Sequence, residues 1–163
     1  MSAKRILTIG EPLLRSVSHP VKKFDSRLSM IIRDMAHTMY DAQGVGLAAP
    51  QVGLMRRIVV IDVGEGLVEL INPEVISSQG EIAMTEGCLS VPGRRGCVIR
   101  PEKVTVRAQD KRGSYFEVEG EGLYARALQH EIDHLDGVLY VDKMSYEVFE
   151  DEEEEVEEGA VIG

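Results

Sequence analysis

The strongest chemical signal in this 163-residue chain is His130-Glu131-Ile132-Asp133-His134. Inside a helix, residues four apart share a face, with Cβ atoms roughly 5–6 Å from one another. Two imidazoles so placed can meet one metal ion at about 2.0–2.1 Å. Glu131, beside the first histidine, can then reach a water on that ion without being a ligand. His130 and His134 fall on one helical stripe with Leu123 and Ala127, the face that would otherwise continue into the core. Burying two imidazoles there without partners is costly, so the spacing reads as a metal site rather than as two surface histidines.

A hydrolytic metal site takes three protein ligands and leaves one position open for water. The third ligand has two sources in this sequence. Downstream stand Asp136, Asp142, Glu147 and further acids, none in a distinctive setting. Upstream lies Glu86-Gly87-Cys88-Leu89-Ser90-Val91-Pro92, whose thiol becomes a strong soft ligand once deprotonated by a metal. Cys97, the only other cysteine, sits in Gly-Cys-Val-Ile-Arg and reads as a small buried hydrophobe. Two cysteines make no disulfide framework. A third segment, Gly44-Val45-Gly46-Leu47-Ala48-Ala49-Pro50-Gln51-Val52-Gly53, is built of small residues that let backbone approach something closely. It lacks the strand-turn-helix setting and third glycine of a dinucleotide fingerprint. Gln51 is its one neutral side-chain donor among apolar neighbours.

The elements that must carry these groups can be read from periodicity. Asp25 or Ser26 can cap a helix whose apolar stripe is Leu28, Ile31, Ile32, Met35 and Met39. His37 falls off that stripe and His19 lies in a Pro-flanked loop, so both read as ordinary surface. Strands are expected over residues 57–63, 67–72, 75–83, 103–109 and 115–118, with Gly64-Glu65-Gly66 and Asp110-Lys111-Arg112-Gly113 as turns. A second helix is expected from Leu123 to Leu135, ended by Gly137. One helix before the β segments and one after them imply an α+β domain: mainly antiparallel sheets packed around a C-terminal metal-binding helix, with an N-terminal helix.

Composition narrows the class. Hydrophobic content of 44% with 28% charged residues fits an ordinary globular chain with a real core. No apolar run approaches the ~20 residues that cross a bilayer. The opening Met-Ser-Ala-Lys-Arg-Ile-Leu-Thr-Ile-Gly has no extended apolar region, which points to a cytoplasmic protein rather than a secreted one. Nearly all of the net charge of −10 belongs to residues 147–163, where eight Glu and one Asp stand without Lys or Arg. Residues 1–146 are close to neutral and offer no basic footprint for nucleic acid. They are expected to form one catalytic domain, and residues 147–163 an acidic, disordered tail that contributes little to the core.

Taken together, residues 44–53, 86–92 and 129–137 resemble the three signature segments of the peptide deformylases, in that family's order and approximate spacing, and the likeness covers nearly all of residues 4–146. The resemblance implies removal of the formyl group from N-formyl-methionyl peptides and nascent chains, an N-terminal processing step of protein biosynthesis. It makes Cys88, His130 and His134 the ligands of one divalent metal, ferrous iron in many members, with zinc, nickel or cobalt tolerated. It gives Glu131 the role of general base and acid, and Gln51 with the Leu89 backbone N–H that of oxyanion donors. Val45, Leu123 and Ala127 then line the methionine pocket. Backbone groups of Val45, Gly46 and Gly87 hold the substrate as an added strand. Transient ribosome contact is implied as well, although the acidic C-terminal segment departs from the partly basic helix that some members use for docking. Two other readings compete. One is a peptidase that takes a downstream acid as third ligand; the other is a closed structural zinc site with Cys97 as the fourth ligand.

Overall fold

The computed structural model of the chain describes residues 3–149 and 160–163. Helix α1 spans Ser26–Asp41 and starts where expected, because the Asp25 carboxylate accepts the Leu28 backbone N–H at 3.0 Å. Among the described residues, nine strands follow in chain order: β1 (Gly46–Ala48), β2 (Ile58–Ile61), β3 (Val68–Gln79), β4 (Ile82–Cys88), β5 (Val91–Arg100), β6 (Lys103–Gln109), β7 (Tyr115–Glu121), β8 (Tyr146–Val148) and β9 (Ala160–Ile162). Helix α2, Gly122–Leu135, stands between β7 and β8. It stops at Gly137, whose φ of 75° is the left-handed conformation glycine adopts at no cost.

The strands form two sheets. One has the order β1-β2-β3-β6-β7 and is antiparallel throughout. The other has the order β8-β5-β4-β9, antiparallel except where β9 joins β4 in parallel. Strand β2 explains the layering. Its four residues, Ile-Val-Val-Ile, are all buried, and alternation sends them to opposite faces. Ile58 and Val60 meet α1 through Leu28, Ile32, Met35 and Met39. Val59 and Ile61 share the other core with Ala125, Ala127 and Leu128 of α2. The first sheet is thus clothed by α1 on one face and by α2 on the other. A helix carrying two histidines is thereby held inside the molecule. The α+β expectation, with antiparallel sheets around the second helix, matches this architecture.

Two expectations change. By sequence, residues 67–72 and 75–83 form separate strands, but β3 runs unbroken through Pro73 to Gln79. It survives because its pairing with β6 shifts register between Ile71 and Glu74 and again between Val75 and Ser77. Such bulges bend a strand without ending it. The real break is Gly80, at φ 73°. The expected boundary at residue 146 also moves, because it cuts through β8, whose Tyr146, Glu147 and Val148 pair with Cys97, Gly96 and Arg95. Val148 is buried. At the other end of the acidic segment, β9 is paired and Ile162 is buried. Two short apolar runs, Val148-Phe149 and Ala160-Val161-Ile162, flank the acids. The remainder of the expected disordered tail, residues 150–159, lies outside the described residues.

Candidate metal centre and peptide cleft

Helix α2 delivers His130 and His134 from one face, as one-turn spacing requires, with ring centroids 5.1 Å apart. Cys88 arrives from the end of β4, where the ladder to β5 shifts register at Gly87/Cys88 and Leu89-Ser90 turn the chain back. The two ring nitrogens and the thiol sulfur lie within 4.8 Å of one another, and all three residues are buried. Among the described residues, this is the only such group of three possible ligands. Cys97 is apart from it, buried in β5 opposite Thr85. Three described downstream acids are committed elsewhere. Asp136 pairs with Arg57 at 3.0 Å, Asp142 with Arg15 at 2.5 Å and Glu147 with Arg94 at 2.8 Å. Among the described residues, neither rival ligand set is brought together.

Glu131 sits beside the cluster, fully buried. Burial pushes its carboxyl up to about 7, against the opposing field of His130. That value suits a group that must both take and return a proton near neutral pH. Burial likewise holds His134 down to about 3, an uncharged imidazole with a free lone pair. Gly46 explains part of the small-residue segment: a Cβ there would come 2.6 Å from Glu131 Oε2. Only glycine lets β1 pass this close to the carboxylate. A Cβ at Gly44 would likewise meet Leu89 at 2.7 Å.

Gln51 is fully buried and held at both ends. Its Oε1 accepts the Ala48 N–H at 3.0 Å, and its Nε2 donates to Ser90 Oγ at 3.0 Å. The same Nε2 approaches Cys88 Sγ at 3.9 Å, so the amide faces the ligand cluster. Leu89 lies in the adjoining turn. Val45 and Ala127 belong to the core beside α2, whereas Leu123 is half-buried in the first turn of that helix. Gly87 lies in β4, paired with Arg95 on one side and Val161 on the other, and Gly46 passes beside Glu131.

Sequence reasoning passed over the group that holds the first histidine. Glu86, fully buried, takes the His130 Nδ1–H at 2.8 Å. It also accepts Arg100 Nε at 2.5 Å and Nη2 at 2.9 Å, together with Arg126 Nη1. Arg126 donates further to the carbonyls of Val98 and Ile82 at 2.9 and 2.8 Å, and Arg100 to Asp133 at 3.0 Å. Burial works against the Glu86 charge. Its hydrogen bonds to His130 and Arg100 outweigh that and hold the carboxyl well below the usual range. With Nδ1 engaged, His130 turns Nε2 inward, the tautomer choice that oriented metal ligands show. The signal was available, since Arg126 stands one turn before His130 on the buried face of α2 and a buried guanidinium demands an acid.

Comparison with known proteins follows the same residues. A family model described as polypeptide deformylase matches residues 3–149. A peptide deformylase of Caldicellulosiruptor bescii is 54% identical over 155 residues, covering 95% of this chain and 93% of its own. One from Thermoanaerobacter pseudethanolicus is 52% identical over 158 residues, covering 97% and 99%. Among solved structures, a peptide deformylase from Legionella pneumophila superposes with a TM-score of 0.85 at 51% identity, over 88% of this chain and 86% of that one. The Ehrlichia chaffeensis enzyme, solved in complex with actinonin, gives 0.86 at 37% identity, over 89% and 90%.

Proposed function

The chain belongs to the peptide deformylase family, whose members are metal-dependent hydrolases, and from that premise we propose how its own residues share the work of deformylation. The observation that carries the reading is the convergence of Cys88, His130 and His134, with buried Glu131 alongside. Two imidazoles and a thiol suit iron, zinc, nickel or cobalt rather than magnesium or calcium. The donors fit such an ion. The Nε2 atoms of both histidines and the Cys88 sulfur all turn toward one point, occupied here by the Gly163 carbonyl oxygen. In this reading the cellular ion is ferrous iron, and Zn2+, Ni2+ or Co2+ can replace it. When bound, it supplies Lewis acidity to the formyl carbonyl and lowers the pKa of a water toward ~7.

Glu131 moves the protons. Its carboxylate takes one from the attacking water and returns it to the α-amine as the formyl C–N bond breaks, leaving formate and a free N-terminus. Its Oε2 already accepts a peptide N–H, that of Gly163, at 2.9 Å, so the carboxylate reaches the backbone of a chain lying in the cleft. Gln51 Nε2 and the Leu89 backbone N–H serve the developing oxyanion. Losing one such donor typically costs about 10²–10³ in turnover. Val45, Leu123 and Ala127 line the pocket for the methionine side chain, and Val45, Gly46 and Gly87 offer backbone to the substrate strand. No helix among the described residues is long and apolar enough to cross a membrane. The same reading makes this a cytoplasmic enzyme of translation, meeting formyl-methionyl nascent chains in transient contact with the ribosome.

The discriminating experiment is formate release from matched formyl- and acetyl-methionyl peptides. Acetyl places a methyl where formyl has hydrogen, beside groups that close on the carbonyl. Overpacking of that kind costs roughly 1–3 kcal/mol, about tenfold to hundredfold in rate. Equal cleavage of the two substrates would overturn the reading. The ligand set has its own test. Metal analysis should find Cys88→Ala reduced at least about tenfold in affinity, since one of three ligands is gone. Cys97→Ala should keep its metal, because that thiol only fills β5. Equal loss from both variants would restore the closed-site reading.

A further inference from the structure

Strand β4 is the inner edge of the cleft, and its outer hydrogen-bonding side is taken by β9 in parallel register, with Glu86 opposite Ala160, Gly87 opposite Val161 and Cys88 opposite Ile162. We propose that residues 160–163 are an internal occupant of the substrate cleft, an added strand laid in reverse that a formyl peptide must displace. The inference rests on the deformylase reading for its substrate, but its geometry is independent.

Three contacts carry it. Ile162 is fully buried in the core cluster that holds Ala125, Ala127 and Leu128, with Val45 packed alongside. Val45 and Ala127 are two of the three residues assigned to the substrate side chain. Gly163 donates its N–H to Glu131 Oε2 at 2.9 Å. Its carbonyl oxygen lies 2.9 Å from His134 Nε2 and 3.3 Å from Cys88 Sγ, and in contact with His130 Nε2. Four residues therefore engage the β4 edge, the side-chain wall, the proton carrier and the ligand cluster at once.

Direction separates this segment from a substrate. Its residue numbers rise toward the ligand cluster, whereas a formyl peptide brings its first residue there and runs outward. In the same lane a substrate would pair with β4 antiparallel. The tail thus fills the lane beside β4 and part of the side-chain wall without bringing a formyl group to be hydrolysed. Glycine at 163 is a requirement of the fit, because a Cβ there would collide with the Gly46 backbone and come 2.8 Å from Glu131 Oε2. The intervening sequence from Glu150 to Gly159 holds eight acids, Val156 and a glycine. Because residues 160–163 belong to the same chain as the cleft, their competition with a substrate is intramolecular. Even a weak strand is then a real competitor.

The test compares the metal-loaded full chain with a deletion of residues 160–163 and with Ile162→Asp, which would bury a charge against the apolar wall. A competing strand raises KM and leaves kcat alone, so both variants should show KM lower by about threefold or more at unchanged kcat. Hydrogen exchange within residues 86–88 should speed up in both, since the β4 edge loses its partner. The peptide Gly-Ala-Val-Ile-Gly should inhibit the deletion variant competitively. If exchange or KM is unchanged, the tail does not occupy the cleft. If kcat falls together with Tm and KM does not drop, β9 is a structural strand and the proposal is overturned. If neither form releases formate, the deformylase reading fails, while exchange and peptide binding still decide where the tail lies.

Discussion

Glu131→Gln is expected to retain its metal and to lose about 10²–10⁴ of turnover, the range carried by a positioned general base. Glutamine keeps the shape of the side chain and can still accept a backbone N–H, as Glu131 Oε2 does from Gly163. It cannot take a proton from water. The surroundings should tolerate the change, because a fully buried carboxyl already disfavours its charge. Formate release measured beside elemental analysis separates the two effects. A variant with full metal and less than a tenfold loss would remove Glu131 from the chemistry.

The largest loss of stability is expected from Glu86→Ala. The substitution strips the buried guanidiniums of Arg100 and Arg126 of their shared carboxylate and frees His130 Nδ1. Breaking a buried pair from one side costs roughly 3–5 kcal/mol, because the remaining charge stays where water cannot reach it. Tm should fall by on the order of 10 °C for a chain of this size. Arg100 keeps Asp133 and Arg126 keeps two carbonyls, so the fold should survive the change. Asp142→Ala, which removes a largely exposed pair with Arg15, should shift Tm far less. Thermal unfolding of the two variants side by side makes the comparison. Similar shifts would mean that the Glu86 network carries no special share of stability.

Much of the fold was legible wherever the signal was local. The Asp25 cap marked the start of α1, the Leu28-Ile32-Met35-Met39 stripe its buried face, and Gly137 the end of α2. The alternation of Val104, Val106 and Ala108 marked β6. Failures came where pairing overrode local signals. Asn72-Pro73 reads as a break, yet the partner strand β6 carries β3 through it by shifting register. The segment after residue 146 reads by charge as solvated. Its acidic centre concealed the apolar ends, Val148 and Ile162, that the second sheet takes up.

The sequence by itself determined the histidine pair and its glutamate, because the geometry of residues four apart on a helix needs no other part of the chain. It also confined the excess charge to one end and left the body nearly neutral. Only the tertiary structure brings the Cys88 thiol to the histidine pair. The thiol is 42 residues from His130 in sequence, and its place at the cluster follows from how β4 turns into β5 beside α2. Only the fold set Glu86 between two arginines and His130, and only sheet pairing laid Ile162 and Gly163 in the cleft. Local periodicity records which face of an element is apolar. Which elements meet, and therefore which buried polar groups must satisfy one another, is settled by packing among residues far apart in the chain.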